Sequence, residues 1–375
     1  MTMSRSVIQI GEPLAYPPAP SKFSYSLLTT LRACPRKWQL AHATFPDWNG
    51  PYPRPYAKAA VLGQITHDVL QHLVGWLVKN GSPVRGSVEF ARAMQSFELR
   101  NRIQALMDQQ LALLAENPRA RRVKALGFGF REVQNRVFQL LNMTWTGKTT
   151  GQAAPDDNGA KNLAEEWVDH PDLPLGGYLD LIEVRPDGDV ITDYKTGELS
   201  DSYRHQILLY ALLWWRRSGR LARLLRVVPA VGETLELSPS EAELESLENE
   251  LKLELEQWSA QLTSPAEARV CESSCRFCHV RAHCTPYWED PSANSVNSDL
   301  AGTVVKVRSS SSLTARIGDD CLEVTAGQTS GYDLSTLMAG DRVRLLSIVM
   351  AEDGSATLTQ YSELYIVGQA TPTSS

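Results

Sequence analysis

The sequence predicts an α/β protein, with a mixed central sheet flanked by helices and a small C-terminal all-β barrel. Three observations carry this. Gly176-Gly-Tyr-Leu-Asp180 and Val190-Ile-Thr-Asp193-Tyr-Lys195-Thr-Gly197 read as two short apolar strands joined by Pro186-Asp-Gly-Asp189, a good hairpin turn because glycine supplies positive φ and aspartate tolerates it. Long stretches on either side repeat apolar residues at helical spacing. After Leu300 the composition changes to short β-type segments separated by Gly, Asp and Ser.

The chain has 375 residues, too many for one average domain and enough for a substantial core. The reading divides it into a flexible leader at 1–21 and a main domain at 22–290. That domain includes a helical insertion at about 88–145 and ends in a cysteine cluster. A small barrel at 300–368 and a tail at 369–375 follow. The longest uninterrupted apolar run, Ile207 to Trp215, falls well short of the roughly 18 residues of a membrane span, so no membrane partner is expected. The first residues lack a charged-then-apolar signal pattern, which points to the cytoplasm.

The net charge of −6 conceals a strong asymmetry. Residues 1–150 carry 19 Lys and Arg against 8 Asp and Glu, whereas residues 151–300 carry 13 against 27. A basic first part and a carboxylate-rich middle suit an enzyme that grips a polyanion with one region and chelates metal with another. Part of the acidity also belongs to a solvated helix face at Glu241 to Glu256.

In chain order, Phe23 to Trp38 reads as a helix opened by a Ser or Thr cap and ended or kinked by Pro35, which leaves Cys34 at a helix end. Ala59 to Val74 forms an amphipathic helix, its apolar stripe built from residues such as Leu62, Ile65, Val69 and Leu73, with His67 at the stripe's edge. Residues 88–145 read as helical almost throughout, broken near Asn117-Pro118 and Gly127-Phe-Gly129. Between the breaks lie Arg119, Arg121, Arg122 and Lys124, with Phe128 and Phe130 close by. Such a cluster either tracks a phosphate backbone or forms a solvated helix face.

A flexible loop at Thr146 to Lys161 leads to a strand at Ala164 to Val168 and then to the hairpin. The two strands bring Asp180 and Asp193 close together, and Lys195, two residues after Asp193, shares its face. Paired carboxylates beside an ammonium can hold a divalent cation and a phosphate. The next helix, Ser202 to Trp215, places Gln206 and Tyr210 on one face. Strands at Leu224 to Pro229 and Thr234 to Leu237 and an acidic helix from Pro239 to Leu262 complete the region.

Four of the six cysteines, Cys271, Cys275, Cys278 and Cys284, fall within fourteen residues, and Cys34 lies far upstream. In a chain read as cytosolic that density favours metal over disulfide. Two groupings remain open: a Zn²⁺ site from Cys271, Cys275, Cys278 and Cys284, or an iron-sulfur cluster from the last three and a distant cysteine. Beyond Leu300, five strands in about seventy residues suggest a closed barrel of the oligonucleotide-binding (OB-like) or a related type.

Taken together, Gly63-x3-His67, Gly-x2-Asp180, Asp193-Tyr-Lys195-Thr-Gly197 and Gln206-x3-Tyr210 resemble the PD-(D/E)XK nuclease superfamily, and within it the RecB-type exonuclease branch. Cys34-Pro followed by Cys275-x2-Cys278-x5-Cys284 is similar to the iron-sulfur members of that branch, which include AddB-type and CRISPR-associated exonucleases. The resemblance covers roughly residues 22–290. It implies a restriction-endonuclease-like sheet and hydrolysis of DNA, single-stranded or with free ends, in repair, recombination or CRISPR-type processing. His67, Asp180 and Asp193 would ligate Mg²⁺ or Mn²⁺ with the Tyr194 carbonyl, Lys195 would orient the attacking water, and Gln206 and Tyr210 would line the strand path. Either Glu165 or Glu166 would be the acidic residue that precedes the hairpin. Cys34, Cys275, Cys278 and Cys284 would hold a 4Fe-4S cluster. No Gly-x4-Gly-Lys-Ser/Thr phosphate loop is present, so duplex substrate would call for a helicase or similar partner. The competing reading is a non-catalytic DNA-binding or scaffolding subunit with the same fold.

Overall fold

The computed structural model describes residues 7–46, 48, 52–55, 58–117, 119, 129–145, 161–262 and 265–368. Its central sheet has the order β2-β3-β4-β5-β6, from β2 (Lys161–Asp169), β3 (Gly176–Val184), β4 (Asp189–Lys195), β5 (Ala222–Pro229) and β6 (Leu235–Leu237). β2, β3 and β4 form an antiparallel meander, β5 joins β4 in parallel, and β6 returns antiparallel, so the sheet is mixed as expected. The turn between β3 and β4 has Gly188 at φ +118°, where a side chain would be strained and would meet Arg223. Asp189 closes it, fully buried, accepting from the Arg185 N–H, the Trp214 indole N–H and the Arg220 guanidinium.

One face of the sheet is covered by α7 (Ser202–Ser218), with the acidic α8 (Glu241–Gln261) behind it. Ile182, Ile191, Leu225 and Val227 from the strands pack there against Ile207, Leu212 and Leu213. α3 (Lys58–Lys79) covers the other face, and α4 (Val88–Phe97), α5 (Leu99–Glu116) and α6 (Phe130–Thr144) pack round it. α4 and α5 are separated at Glu98, in the left-handed conformation at φ +53°. The apolar spacing of the two helices runs through this break, so composition alone did not mark it.

The first helix is two helices, α1 (Tyr25–Ala33) and α2 (Pro35–His42). Ser24 caps α1 by accepting from the Leu27 N–H at 3.3 Å, and Pro35 takes the first turn of α2, where its missing N–H costs nothing. Cys34 is the hinge between them.

The C-terminal sheet has the order β1-β13-β10-β7-β8-β9-β12-β11. Its strands are β7 (Leu300–Ser309), β8 (Ser312–Ile317), β9 (Asp320–Ala326), β10 (Arg342–Leu346), β11 (Val349–Met350), β12 (Ala356–Leu358) and β13 (Glu363–Val367), joined by β1 (Ile8–Ile10) from the other end of the chain. Two of the five expected strands are thus each split, and β1 is added. Among the described residues no pairing joins β1 to β11. Residues 8–10, read as part of a flexible leader, instead pair in parallel with β13, because Ile10 buries against Tyr365 and Leu346. Among the described residues no helix is long and apolar enough to cross a membrane.

Candidate functional site

The β3–β4 ladder pairs Leu181 with Thr192, and one step further along it Asp180 stands opposite Asp193. On the other side of β3, the β2 ladder pairs Ala164 with Leu181 and Glu166 with Leu179, which puts Glu165 opposite Asp180. Three carboxylates therefore form a row across three neighbouring strands, whose spacing is about 4.8 Å. Glu165 lies at φ +55°, a backbone conformation that a glutamate rarely adopts and that interrupts regular pairing at this point.

The side chains bear out that crowding. Asp180 Oδ2 accepts from the Tyr194 N–H at 2.7 Å, and its Oδ1 lies 3.8 Å from His67 Nε2, which α3 brings over the sheet. Lys195 places its ammonium 2.6 Å from Asp193 Oδ2 and 5.0 Å from the Tyr203 ring centre. Asp180 and Asp193 are 5% and 2% exposed, so little water reaches either carboxylate. Burial raises both, and Asp193 is pushed up to about 7 with the Asp180 charge as the next cause. Glu165 is pushed up to about 8, by burial first and then by Asp180 and Asp193. Three acids that oppose one another's ionisation are an arrangement that a dication relieves.

Helix α7 supplies the adjoining wall. Gln206 Nε2 donates to Tyr210 Oη at 2.7 Å, and burial, then the Asp193 charge, pushes Tyr210 upward. Gly177 explains how the tyrosine fits: a Cβ there would stand 3.0 Å from its ring. Gly176 does the same for Trp167, whose ring a Cβ would meet at 2.6 Å. Both glycines of the Gly176-Gly-Tyr-Leu-Asp180 stretch are thus places where an aromatic ring lies on the strand.

His67, Asp180, Asp193 and Lys195 are brought together, with Tyr210 near enough to feel the carboxylate charges. Of the two glutamates left open by the sequence, Glu165 faces the site and accepts from Gln71 Nε2 at 2.6 Å, while Glu166 pairs with Arg217 at the surface. Their identical chemistry concealed the choice, which the local backbone makes.

Cys34, Cys275, Cys278 and Cys284 line one pocket with Leu40, Val270 and Tyr287. Successive tight turns, with the Cys275 N–H on the Cys271 carbonyl and the Cys278 N–H on the Cys275 carbonyl, bring the downstream thiols to the α1–α2 junction. Cys271 is exposed, with its Sγ 3.5 Å from Ser273 Oγ, and does not line that pocket. Among the described residues, no three His, Cys, Asp or Glu side chains already stand in a metal-holding arrangement, here or at the carboxylates.

Arg119 departs from the expectation of a phosphate-tracking or solvated cluster. It is 2% exposed and grips Glu363 through Nε at 3.0 Å and Nη2 at 2.8 Å. Arg121, Arg122, Lys124 and Phe128 lie outside the described residues, and Phe130 is half-buried with the Arg100 guanidinium 5.8 Å from its ring.

Comparison with known proteins gives one substantial match: the family model described as the PD-(D/E)XK nuclease superfamily aligns with residues 22–285. No curated protein matches. Among solved structures, the crystal structure of the tetrameric p202 HIN2 is similar at 16% identity and a TM-score of 0.16. The match covers 19% of this chain and 40% of that one, and at that score it carries no argument.

Proposed function

The chain belongs to the PD-(D/E)XK nuclease superfamily, and from that premise we propose that it is a metal-dependent deoxyribonuclease of the RecB-type branch, an exonuclease acting on single-stranded or unwound DNA. The observation that carries this is the row Glu165, Asp180 and Asp193 with Lys195 beside it. A Mg²⁺ or Mn²⁺ ion bound there supplies charge neutralisation and a water of lowered pKa. His67, Asp180 and Asp193 would hold it, with Glu165 beside them. The hard oxygen donors fit these ions, and a bound dication would relieve the mutual repulsion of the acids. Lys195 then exchanges its hold on Asp193 for the attacking water and the phosphate oxygens. Gln206 and Tyr210 set the position of the strand. Repair, recombination or CRISPR-type processing would be the setting, with a helicase as the natural partner for duplex substrate.

Two measurements test the reading. A 5′-labelled single strand should be shortened with Mn²⁺ or Mg²⁺ and left intact with EDTA; a chain that cuts nothing under any divalent metal would return the field to the scaffolding alternative. Glu165→Gln removes the ionisable acid from the row while keeping an oxygen that can accept from Gln71. We expect weaker metal activation, seen as a rise of roughly tenfold in the Mn²⁺ concentration at half-maximal rate, in line with the cost of altering a group that supports a metal ligand. An unchanged metal dependence would take Glu165 out of the site.

The cysteine pocket supports a 4Fe-4S cluster on Cys34, Cys275, Cys278 and Cys284 over the zinc alternative, because Cys34 lines the pocket and Cys271 does not. A cluster there would join the α1–α2 junction to a segment about 240 residues later, closing a loop that is entropically costly. Anaerobically purified protein should contain iron and acid-labile sulfide and lose both in Cys34→Ser. Colourless, zinc-loaded protein would refute this assignment.

A further inference from the structure

A second site lies on the outer side of the cysteine segment. Helices α1 and α2, residues 54–55 and residues 277–279 enclose an open groove of about 600 Å³, within the size range of ligand-binding clefts. Lys37 and Arg54 line it with His42 and His279, whose imidazole burial pushes down to about 3 so that it adds no charge, and among the described residues no carboxylate does. In a chain of net charge −6 that local excess is conspicuous. Nor do Lys37 and Arg54 form ion pairs with other described side chains, whereas many of the chain's other arginines do. Unpaired cations lining a concave surface favour an anionic ligand.

Phe277 stands at the rim. Single exposed apolar side chains are ordinary, but this one is 76% exposed and its backbone is held between the buried Cys275 and Cys278. The Arg276 guanidinium sits 5.6 Å from its ring. A fixed aromatic face beside cations is how proteins hold unpaired nucleotides: the cations track phosphates and the ring stacks on a base.

The groove is also linked to the carboxylate site through α1. Ser26, Leu27 and Thr30 of α1 line its wall, and Tyr25, on the same turn of that helix, donates from its hydroxyl to the Ser202 carbonyl. The next residue, Tyr203, carries the Lys195 ammonium over its ring. A relay of contacts through Tyr25, Ser202 and Tyr203 therefore links the groove wall to Lys195.

We propose that this groove is a second binding site for the unpaired strand of the DNA substrate, with phosphates on Lys37 and Arg54 and a base stacked on Phe277. This rests on the nuclease reading for the identity of the ligand, and its test requires no cleavage. Binding of a labelled oligothymidine to the full chain is measured in EDTA by fluorescence anisotropy across a salt series. Lys37→Gln with Arg54→Gln should weaken binding and lower the salt slope by about 1.4, about 0.7 for each single-strand phosphate left without its cation. Arg54→Gln alone, on an exposed side chain, should lower it by about half as much. Phe277→Ala should weaken binding roughly 5- to 100-fold, and Phe277→Tyr should restore it. With Mn²⁺ present, these effects should appear mainly in KM and much less in kcat. Unchanged slope and affinity in the charge variants, or in Phe277→Ala, would overturn the groove and leave the nuclease reading standing. A chain that binds as described yet cuts no strand would do the reverse.

Discussion

Lys195→Ala is expected to lower the rate of strand cleavage about 10²- to 10³-fold with little change in KM. That is the usual cost of removing one preorganised donor from charge that develops in the transition state. The Lys195 ammonium is directed to Asp193 Oδ2 at 2.6 Å, within a cluster where Glu165, Asp180 and Asp193 oppose one another's ionisation. The same geometry separates catalysis from stability. Removing the ammonium takes away the cation next to Asp193, so metal-free Lys195→Ala should melt below the parent chain, and added Mn²⁺ should stabilise it more than it does the parent. Asp193→Asn relieves repulsion between buried acids but also takes away the Lys195 ammonium's nearest partner, so in EDTA it should melt above Lys195→Ala while losing metal-dependent cleavage. Cleavage of a labelled strand and thermal melts with and without metal supply both readings. Full activity in Lys195→Ala would overturn its assignment.

How much of this was legible in the sequence depends on how local the determining interactions are. The hairpin of Asp180 and Asp193 was readable because the turn chemistry at Gly188 and the strand period are properties of neighbouring residues. Gln206 and Tyr210 were readable as one helix face for the same reason, and they do share a hydrogen bond. Glu165 was not separable from Glu166, since the distinction rests on one left-handed residue within a strand. β1 was missed because Ile8 and Ile10 are too short a run to signal a strand, and their partners lie some 357 positions away. Arg119 was misread for a related reason: a basic cluster looks like solvent or phosphate contact until the carboxylate it meets, Glu363, is brought in by the fold.

That ion pair sets the largest stability effect expected in the chain. Arg119 donates to Glu363 twice and, through Nη1, to the carbonyls of Pro53 and His279, each at 2.6 Å, while the Tyr52 ring lies 5.4 Å away. One guanidinium thus fastens the C-terminal sheet to the cysteine segment and to the loop before α3. Truncation to Arg119→Ala would leave a buried carboxylate without its countercharge and the Pro53 and His279 carbonyls without this donor, at a cost of about 3–5 kcal/mol. Melting followed by circular dichroism should show a fall of several degrees or more. Glu363→Gln, which keeps an acceptor for the guanidinium, should cost less. The pair Arg119→Met with Glu363→Leu should recover much of the stability, because apolar side chains leave no uncompensated charge and a buried pair contributes little beyond well-packed hydrophobic replacements. Arg119→Ala as stable as the parent would show that the junction is held elsewhere, by Arg281 on Asp299 and by the Ser347 N–H on that same carboxylate.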